Sequence, residues 1–357
     1  MPRPVLRSFG AVFPTVVLVA SLPWSSTARA ADDTTGSKLP TSVSFGVDVG
    51  KAGAPWTLHV TNTGTAPVFV LADARLVRLE LQPAAPKSKA SQCILPSDAL
   101  PSPVDERELV LPPGKTYSQK FDPAFHCFDA KNAAVWVAGT TVTAKFGFPP
   151  RVSARTAKKP VAETAPFVVR AVPGTVDTIP VKELVATPVT LTEVDLPSAK
   201  EAPKSSKVLP LEASLPSRLD VSVGKYVATS VTIANVDSSS VSFLARPSTV
   251  AVDVSPRGGR TTRCALPGSA GRIPELYASL APKAKTQVAV QLEELCPPHT
   301  FDEAGVYEVV PRVDSSATES ADVVPRALRG VSASGPPMLL RVRGTLGDAT
   351  PKRPTYD

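Results

Sequence analysis

The sequence predicts an all-β protein made of two tandem antiparallel β-sandwich domains joined by a proline-rich spacer. Three observations lead to this fold class. The 357 residues include 39 prolines, and a proline inside a helix costs about 3 kcal/mol, which disfavours a helix bundle. Valine- and threonine-rich segments alternate apolar and polar residues with period two, the pattern of strands with one buried face. Ordered landmarks recur along the chain, which indicates an internal duplication.

Residues 1–30 have the pattern of a cleaved secretory signal peptide. Two arginines without acidic residues precede a 14-residue apolar run over 9–22, and small residues follow. The small residues at the predicted cleavage site are Ala28, Ala30 and Ala31. An uncleaved membrane anchor is the alternative, but the run is shorter than the ~20 residues that cross a bilayer. We therefore expect a secreted or periplasmic protein with a flexible segment over 31–37 and no later transmembrane span.

Removal of the signal peptide lowers the positive charge of the chain. The full sequence carries 39 Lys+Arg and 32 Asp+Glu, a net charge of +7. Three of the arginines belong to the signal peptide, so the mature chain carries about +4, which is weak evidence for a nucleic-acid partner. We expect no nucleic acid among the partners, since an exported protein also rarely meets one.

The recurring landmarks predict two copies of one domain over 38–175 and 213–346. Nearly all of them lie at an offset between 169 and 174. The matched segments are 39–51 with 215–225, 59–62 with 232–235, 68–72 with 241–245, 93–96 with 264–267, 111–115 with 280–284, Cys127 with Cys296, and 166–170 with 337–341. The proline-rich segment 176–212 is predicted to be a semi-stiff spacer, although 188–192 has the pattern of a strand that would join either domain. The polar tail 347–357 is expected to be disordered.

The alternating segments give the positions of the expected strands. In the first copy they are 43–49, 56–61, 76–81, 135–146 and 167–172. In the second copy they are 219–223, 229–233, 250–254, 286–292, 306–313 and 338–342.

The four cysteines occupy equivalent positions in the two copies. An exported chain meets an oxidising compartment, where paired cysteines form disulfides, and four cysteines allow three connectivities. The duplication favours Cys93–Cys127 and Cys264–Cys296, each closing a loop inside its own copy. Such a loop contributes about 3–4 kcal/mol in the chain-entropy model. We expect each bridge to tie a proline-rich loop to the edge of a later strand.

Signatures of catalysis and of metal binding are not found in the sequence. It contains no G-x-S-x-G, H-E-x-x-H, phosphate-binding loop, EF-hand or dinucleotide fingerprint. His126 next to Cys127 and His299 after Cys296 offer too few ligands for a four-coordinate zinc. No catalytic residue, metal or cofactor is predicted, and the protein is expected not to be an enzyme.

A basic loop precedes the first cysteine of each copy. Forked arginine donors and backbone amides in such a loop suit a phosphate, sulfate or carboxylate. The alternative is a flexible solvated loop. The residues are Lys87, Lys89, Arg257, Arg260 and Arg263.

Two turns of the first copy resemble those of secreted bacterial immunoglobulin-like (Ig-like) modules. Residues 60–68 carry the V-x-N-x-G-x-x-x-V turn, and 111–117 carry the L-x-P-G turn. The resemblance implies an Ig-like sandwich used for adhesion, spacing or partner binding, without catalytic residues. The predicted function is non-enzymatic binding or structure at the cell envelope, with an envelope or extracellular protein or an anionic glycan as partner. A secreted protease inhibitor acting through the disulfide-tethered loop 95–109 is the alternative, and an unrecognised enzyme is the third possibility.

Overall fold

Alternating valine- and threonine-rich segments make about half of the described residues into strands. A computed structural model of the protein is nearly all β, which confirms the predicted fold class. The structure describes residues 42–50, 55–85, 89–102, 108–149, 151–152, 162–163, 165–175, 180–192, 210–222, 226–257, 259–267, 277–314, 327–328 and 332–344. The predicted signal peptide with Ala28, Ala30 and Ala31, the 31–37 segment and the 347–357 tail lie outside the described residues.

We call residues 42–192 the first half, and its described residues form thirteen strands and two short α-helices. The strands are β1 (Val43–Asp48), β2 (Trp56–Asn62), β3 (Val68–Leu71), β4 (Val77–Gln82), β5 (Ser91–Cys93), β6 (Glu108–Leu111), β7 (Thr116–Phe121), β8 (Thr141–Phe146), β9 (Arg151–Val152), β10 (Ala162–Glu163), β11 (Val169–Ala171), β12 (Leu184–Val185) and β13 (Val189–Thr190). The helices are α1 (Pro123–His126) and α2 (Ala130–Val135).

Antiparallel pairing arranges these strands into small sheets around one core. Their orders are β1-β2-β7, β11-β3-β6 and β12-β8-β4-β5, with β13 also paired to β8 and a separate β9-β10 ladder. Every second residue of β2 is buried, as the period of two requires. The core of the first half includes Leu58, Val60, Val70, Leu79 and Phe146.

Residues 210–344, which we call the second half, form a second set of sheets around a core of their own. The elements are β14 (Leu211–Ser214), β15 (Arg218–Ser222), β16 (Ala228–Asn235), β17 (Val241–Leu244), β18 (Val250–Pro256), β19 (Thr262–Ala265), β20 (Tyr277–Leu280), β21 (Lys285–Gln291), α3 (Leu292–Leu295), β22 (Gly305–Asp314), β23 (Ser332–Ser334) and β24 (Met338–Arg343). Their sheets are β14-β16-β21, β17-β20 and β15-β24-β22-β18-β19, with β23 paired to β22. The β15–β24 pair is parallel, whereas the sequence predicts antiparallel sheets. The core of the second half includes Ile233, Phe243, Val252, Val309 and Leu340.

One buried asparagine in each half has the same hydrogen bonds. The Asn62 side chain donates to the carbonyl oxygens of Ala66, at 2.9 Å, and Leu111, at 2.8 Å. Asn235 donates at 2.8 Å to the carbonyls four and 45 residues further along the chain. In both halves the asparagine therefore satisfies one carbonyl of its own turn and one of a strand in a different sheet.

The four cysteines form the two predicted disulfides, Cys93–Cys127 and Cys264–Cys296. Each bridge joins a sheet-edge strand, β5 or β19, to the residue that follows a helical turn, α1 or α3. The sequence predicts a link between a proline-rich loop and the edge of a later strand. The structure differs, because one cysteine of each pair directly follows a helical turn. All four cysteines are buried within the two cores, where the bridges hold the helical turns against the sheets.

The strand pairing differs from the sequence alignment at both ends of the predicted repeat. Val43 pairs with Asn62, and Leu211 pairs with Asn235, so β14 takes the place of β1 instead of the predicted segment 219–223. At the other end, β12 and β13 line β8 as β24 lines β22. The counterpart of 338–343 is therefore 184–190. Similar valine-rich patterns occur in several strands, and only their hydrogen-bonded neighbours distinguish them.

The predicted spacer is consequently shorter where the structure describes it. Residues 180–192, assigned by the sequence to the spacer 176–212, belong to the first half, with Leu184, Ala186 and Leu191 in its core. At the other end of the spacer, Leu211 is in the core of the second half. The strand pattern of 188–192 is confirmed by the pairing of β13 with β8.

A lysine occupies a backbone conformation that favours glycine. In the turn before β7, Gly114 has a φ of 73° and donates to the carbonyl of Asn62 at 2.8 Å. At the same place in the second half, Lys283 has a φ of 64° and donates to the carbonyl of Asn235 at 3.0 Å. A side chain in this left-handed region costs roughly 1–2 kcal/mol.

We therefore expect Lys283→Gly to stabilise the protein by roughly 1 kcal/mol, since glycine adopts this conformation without the steric cost. Urea unfolding monitored by circular dichroism measures the change. The matched change, Gly114→Lys, is expected to destabilise by a similar amount, because the space around Gly114 is open and only the backbone is strained. A loss of stability in Lys283→Gly would contradict the prediction.

Candidate functional site

The first half contacts the second through α1 and the residue that follows its cysteine. Asp122 is the N-cap of the helix, and its Oδ1 accepts a hydrogen bond from the amide of Ala124 at 2.9 Å. Pro123 suits the first turn because it lacks the amide hydrogen that would have no partner there. The helix ends at Cys127, and Phe128 follows in a small buried cluster with Ala124, Val306 and Leu339. The disulfide thus fixes the helix that carries the contact.

Two arginines of the second half lie against the ring of Phe128. The guanidinium carbon of Arg341 is 4.7 Å from the ring centroid, and that of Arg218 is 5.4 Å away, both within range of a cation–π interaction. Arg341 also donates from Nη1 to the carbonyl of Phe125 at 3.0 Å, and Arg218 donates to the carbonyl of Phe128. We call Phe125, Phe128, Arg218 and Arg341 the joint.

Carboxylates neutralise two arginines at this contact, Arg341 and Arg257. Arg341 is only 3% exposed, and a buried charge is costly unless it is paired. Its Nε donates to Oδ1 of Asp220 at 3.1 Å, and Nη2 donates to the other carboxylate oxygen. Arg257 extends the contact by donating from Nη1 to Oδ1 of Asp122 at 2.7 Å. The α1 cap is therefore bonded to the second half as well.

A buried histidine lies beside the joint. His126 packs between the rings of Phe121 and Phe125, at centroid distances of 5.4 and 5.9 Å. Its ring nitrogens lie 3.2 Å from the carbonyl of Asp122 and 3.3 Å from that of Ala74. Burial lowers the pKa of the imidazole below its usual value of 6.5, and the positive charge of Arg341 lowers this pKa further. The hydrogen bonds to the two carbonyls raise the pKa but do not offset the effect of burial.

This histidine is expected to make stability depend on pH. Because the folded pKa is below 6.5, the unfolded chain binds more protons as pH falls below 6.5, and stability is lost. We expect the free energy of unfolding of the native protein to fall more steeply between pH 7.5 and 5.5 than that of His126→Gln. Urea unfolding across this range measures both slopes. Identical slopes would show that His126 does not carry the effect.

The predicted anion-binding residues are not assembled into one site in the described part of the chain. Arg263 lies 3.0 Å from Asp314 and 3.6 Å from Asp253, and Arg257 is committed to Asp122. Arg260 and Lys89 are exposed, and Lys87 lies outside the described residues. Anion binding stays a prediction, and it now depends on Arg260 and Lys89, because the charges of the other two arginines are already neutralised.

The loop proposed for protease inhibition is attached to the second half. Its described residues are 95–102 and 108–109, and they include the turn Ser97–Ala99, with Leu95 and Ala99 buried. Asp98 accepts hydrogen bonds from Ser222 Oγ, at 3.1 Å, and from Arg343. Residues 103–107 lie outside the described residues.

A serine, a histidine and an aspartate are hydrogen-bonded in series on the β1-β2-β7 sheet. Ser118 Oγ is 2.8 Å from His59 Nδ1, and Asp48 Oδ2 is 2.9 Å from His59 Nε2. In serine hydrolases the two ring nitrogens have the opposite partners, and the aspartate is buried. Here the Asp48 side chain is 80% exposed, so water screens its charge. We interpret the three residues as a cross-strand network that stabilises the sheet.

Sequence reasoning did not find the joint or this network. The two arginines of the joint are 90 or more residues away from Phe128 in sequence, and none of the four residues belongs to a binding or catalytic motif. Among the described residues, no group of three or more His, Cys, Asp and Glu is arranged to hold a metal ion. No helix in the described part is long and apolar enough to span a membrane.

Comparisons with known proteins do not identify a family. No family model and no curated protein matches the chain. Among solved structures, red sea bream transglutaminase is similar at 10% identity and a TM-score of 0.19, over 85% of this chain and 32% of that one. A Salmonella enterica SafA pilin in complex with the SafB chaperone is similar at 12% identity and a TM-score of 0.20, over 42% of this chain and 59% of that one. The chain thus spans less than two thirds of either, and similarity at this level assigns no function.

Proposed function

We propose that the protein is exported and acts at the cell envelope as a non-enzymatic binding or structural protein. In this proposal two Ig-like modules, each with its own disulfide, present one rigid surface to a protein partner. The observation that carries the proposal is the joint. Two guanidinium groups on one buried phenylalanine ring, each also bonded to a backbone carbonyl, restrict both the distance and the angle between the halves.

Matching features support the proposal that the halves are copies of one module. Both have the buried asparagine, the disulfide after a helical turn and the left-handed turn residue at Gly114 or Lys283. The copies are not equivalent at the joint, since the first supplies α1 and the second supplies the sheet of β15, β22 and β24. A tandem pair with such a contact has a defined shape before it meets a partner.

A rigid pair of modules is suited to binding because less conformational freedom is lost on association. Two modules on a flexible linker gain affinity from a second contact only when the linker lets both modules bind at the same time. Two modules held at a fixed angle contact one partner without that ordering cost. We therefore expect partner binding to depend on the joint even where the partner does not touch it.

The test is capture of a partner from the envelope fraction of the native host by the immobilised mature protein. Wild type and Phe167→Ala, an exposed phenylalanine beside Lys182, are expected to capture the same protein. Phe128→Ala is expected to capture at least fivefold less of it. Equal capture by all three proteins would contradict the role of the rigid pair, and capture of nothing by wild type would contradict a protein partner.

Protease inhibition remains the second candidate because the described residues 95–102 of the loop 95–109 are held from two sides. The disulfide Cys93–Cys127 fixes one end, and the hydrogen bonds of Asp98 fix it to the second half. A loop that is already ordered binds a protease with less entropic cost. Nanomolar inhibition of a secreted protease would favour this function. Cleavage within the loop without inhibition would count against it.

A further inference from the structure

A surface cavity of about 330 Å³ opens in the second half, beside α3. Its walls are mainly apolar and come from the ends of β16 and β21 and from two loops. The lining includes Thr229, Pro247, Leu266, Val290 and Leu295, together with the carboxylate-bearing Glu294. A volume of this size is at the lower end of the range for ligand sites in proteins.

The first half has the same position filled by tryptophan. Trp56 and Thr229 both stand six positions before the buried asparagine of their strand and on its core-facing side. Their cross-strand neighbours also correspond, since Trp56 pairs with Phe121 and Thr229 pairs with Val290. Threonine and valine in place of tryptophan and phenylalanine leave much less side-chain volume at this position.

A second aromatic residue fills the position in the first half. The ring of Trp56 lies 5.4 Å from that of Trp136 and 6.1 Å from that of Phe121, and both tryptophans are buried. Trp136 follows α2, which lies between Cys127 and β8. In the second half only residues 297–304 separate Cys296 from β22, and no helix or tryptophan occurs among them. The cavity therefore lies where the first half has an aromatic cluster, and the second half has no counterparts of its tryptophans.

The charge at the cavity indicates which charge a bound aromatic ligand would carry. Glu294 is exposed and has no hydrogen-bond or ion-pair partner among the described residues. Its neighbour Glu293 is committed, since it accepts the amide of Val227 at 2.6 Å. A free carboxylate at an apolar cavity favours a ligand with a positive charge close to its aromatic ring.

We propose that this cavity binds a tryptophan side chain of a partner polypeptide that carries a basic residue beside it. The inference rests on the proposed binding role and names the chemistry of the partner. The indole would occupy the space that Trp56 and Trp136 fill in the first half, and the basic residue would pair with Glu294. In the first half this aromatic packing comes from residues of the chain itself. In the second half the partner would supply it.

The test is calorimetric titration of the full mature protein with three short blocked peptides. A Gly-Trp-Lys-Gly peptide is expected to bind with a dissociation constant near 1 mM or below, as suits a ligand of this size. Gly-Trp-Glu-Gly is expected to bind at least threefold more weakly, and Gly-Ala-Lys-Gly is expected not to bind. Equal affinity for the alanine and tryptophan peptides would overturn the proposal.

Variants assign the binding to the cavity. Thr229→Trp places an indole of the chain itself in the cavity and is expected to weaken Gly-Trp-Lys-Gly binding at least tenfold. Its matched control is Thr232→Trp, on the opposite face of the same strand, which is expected to bind as wild type. Glu294→Gln is expected to remove the preference for lysine over glutamate, whereas Glu212→Gln on β14 is expected to keep it. Unchanged binding by a cooperatively folded Thr229→Trp would overturn the proposal.

Two further outcomes separate this inference from its alternatives. Binding of free tryptamine tenfold more tightly than the peptide would assign the cavity to a small aromatic amine and overturn a polypeptide partner. Capture of the envelope partner by Thr229→Trp at the wild-type level would also overturn the inference. It would leave the proposed function standing, because that function depends on the joint and is tested by Phe128→Ala.

Discussion

Phe128→Ala is expected to destabilise the protein by about 3–4 kcal/mol and to separate the unfolding of the two halves. Removing a buried phenylalanine ring costs about 3–5 kcal/mol through lost burial and the cavity it leaves. Here the loss also takes away the surface on which Arg218 and Arg341 lie. Because the contact between the halves is small and polar around its edge, we expect it to fail before either core does.

Urea unfolding followed by circular dichroism, together with hydrogen exchange of the α1 amides, measures this effect. The native protein is expected to unfold in one transition and the variant in two. Phe167→Ala is the control, since Phe167 also lies under a cation but is 44% exposed, and it is expected to cost less than about 1 kcal/mol. A single transition in Phe128→Ala, with stability unchanged, would contradict a structural role for the joint.

Removal of the disulfide Cys93–Cys127 is expected to cost about 4 kcal/mol. The bridge closes a loop with a sequence separation of 34 residues, and in the chain-entropy model such a cross-link removes this much freedom from the unfolded chain. The double variant Cys93→Ala/Cys127→Ala keeps two small apolar side chains in the core. Since α1 is held by this bridge, we also expect the contact with the second half to weaken.

The same measurement on Cys264→Ala/Cys296→Ala provides the comparison. Its loop has a separation of 32 residues, so the entropic loss is expected to be nearly the same. The helical turn α3 is not part of the joint, and this variant is therefore expected to keep the α1 amides protected from hydrogen exchange. Equal loss of α1 protection in both variants would contradict the link between the first disulfide and the joint.

Much of the fold was predictable from local pattern. The period of two located about half of the described strands to within a few residues, because one face of each of these strands is buried and the other is wet. The prediction of a strand over 135–146 was wrong at its start, where α2 ends at Val135 and β8 begins only at Thr141. Alanines at 130, 133 and 134 carry a helical preference that the neighbouring valines obscure.

Less of the candidate sites was predictable. The joint brings Phe128 together with arginines 90 and more positions later in the chain, and no local pattern announces such a contact. The cavity at Thr229 is also hidden in sequence, since a threonine in a strand is unremarkable by itself. Only a strand-by-strand comparison of the two halves shows that Thr229 occupies the position of Trp56.

The sequence by itself determined the all-β class, about half of the strand positions and the pairing of the cysteines, because these depend on periodicity, composition and repeat spacing along the chain. The tertiary structure decided which strands are neighbours, that residues 180–192 belong to the first core, and that two arginines lie on Phe128. Those features depend on hydrogen bonding and packing between segments distant in sequence. Several segments have the same valine-rich pattern, so only the three-dimensional arrangement distinguishes the partner that each of them has.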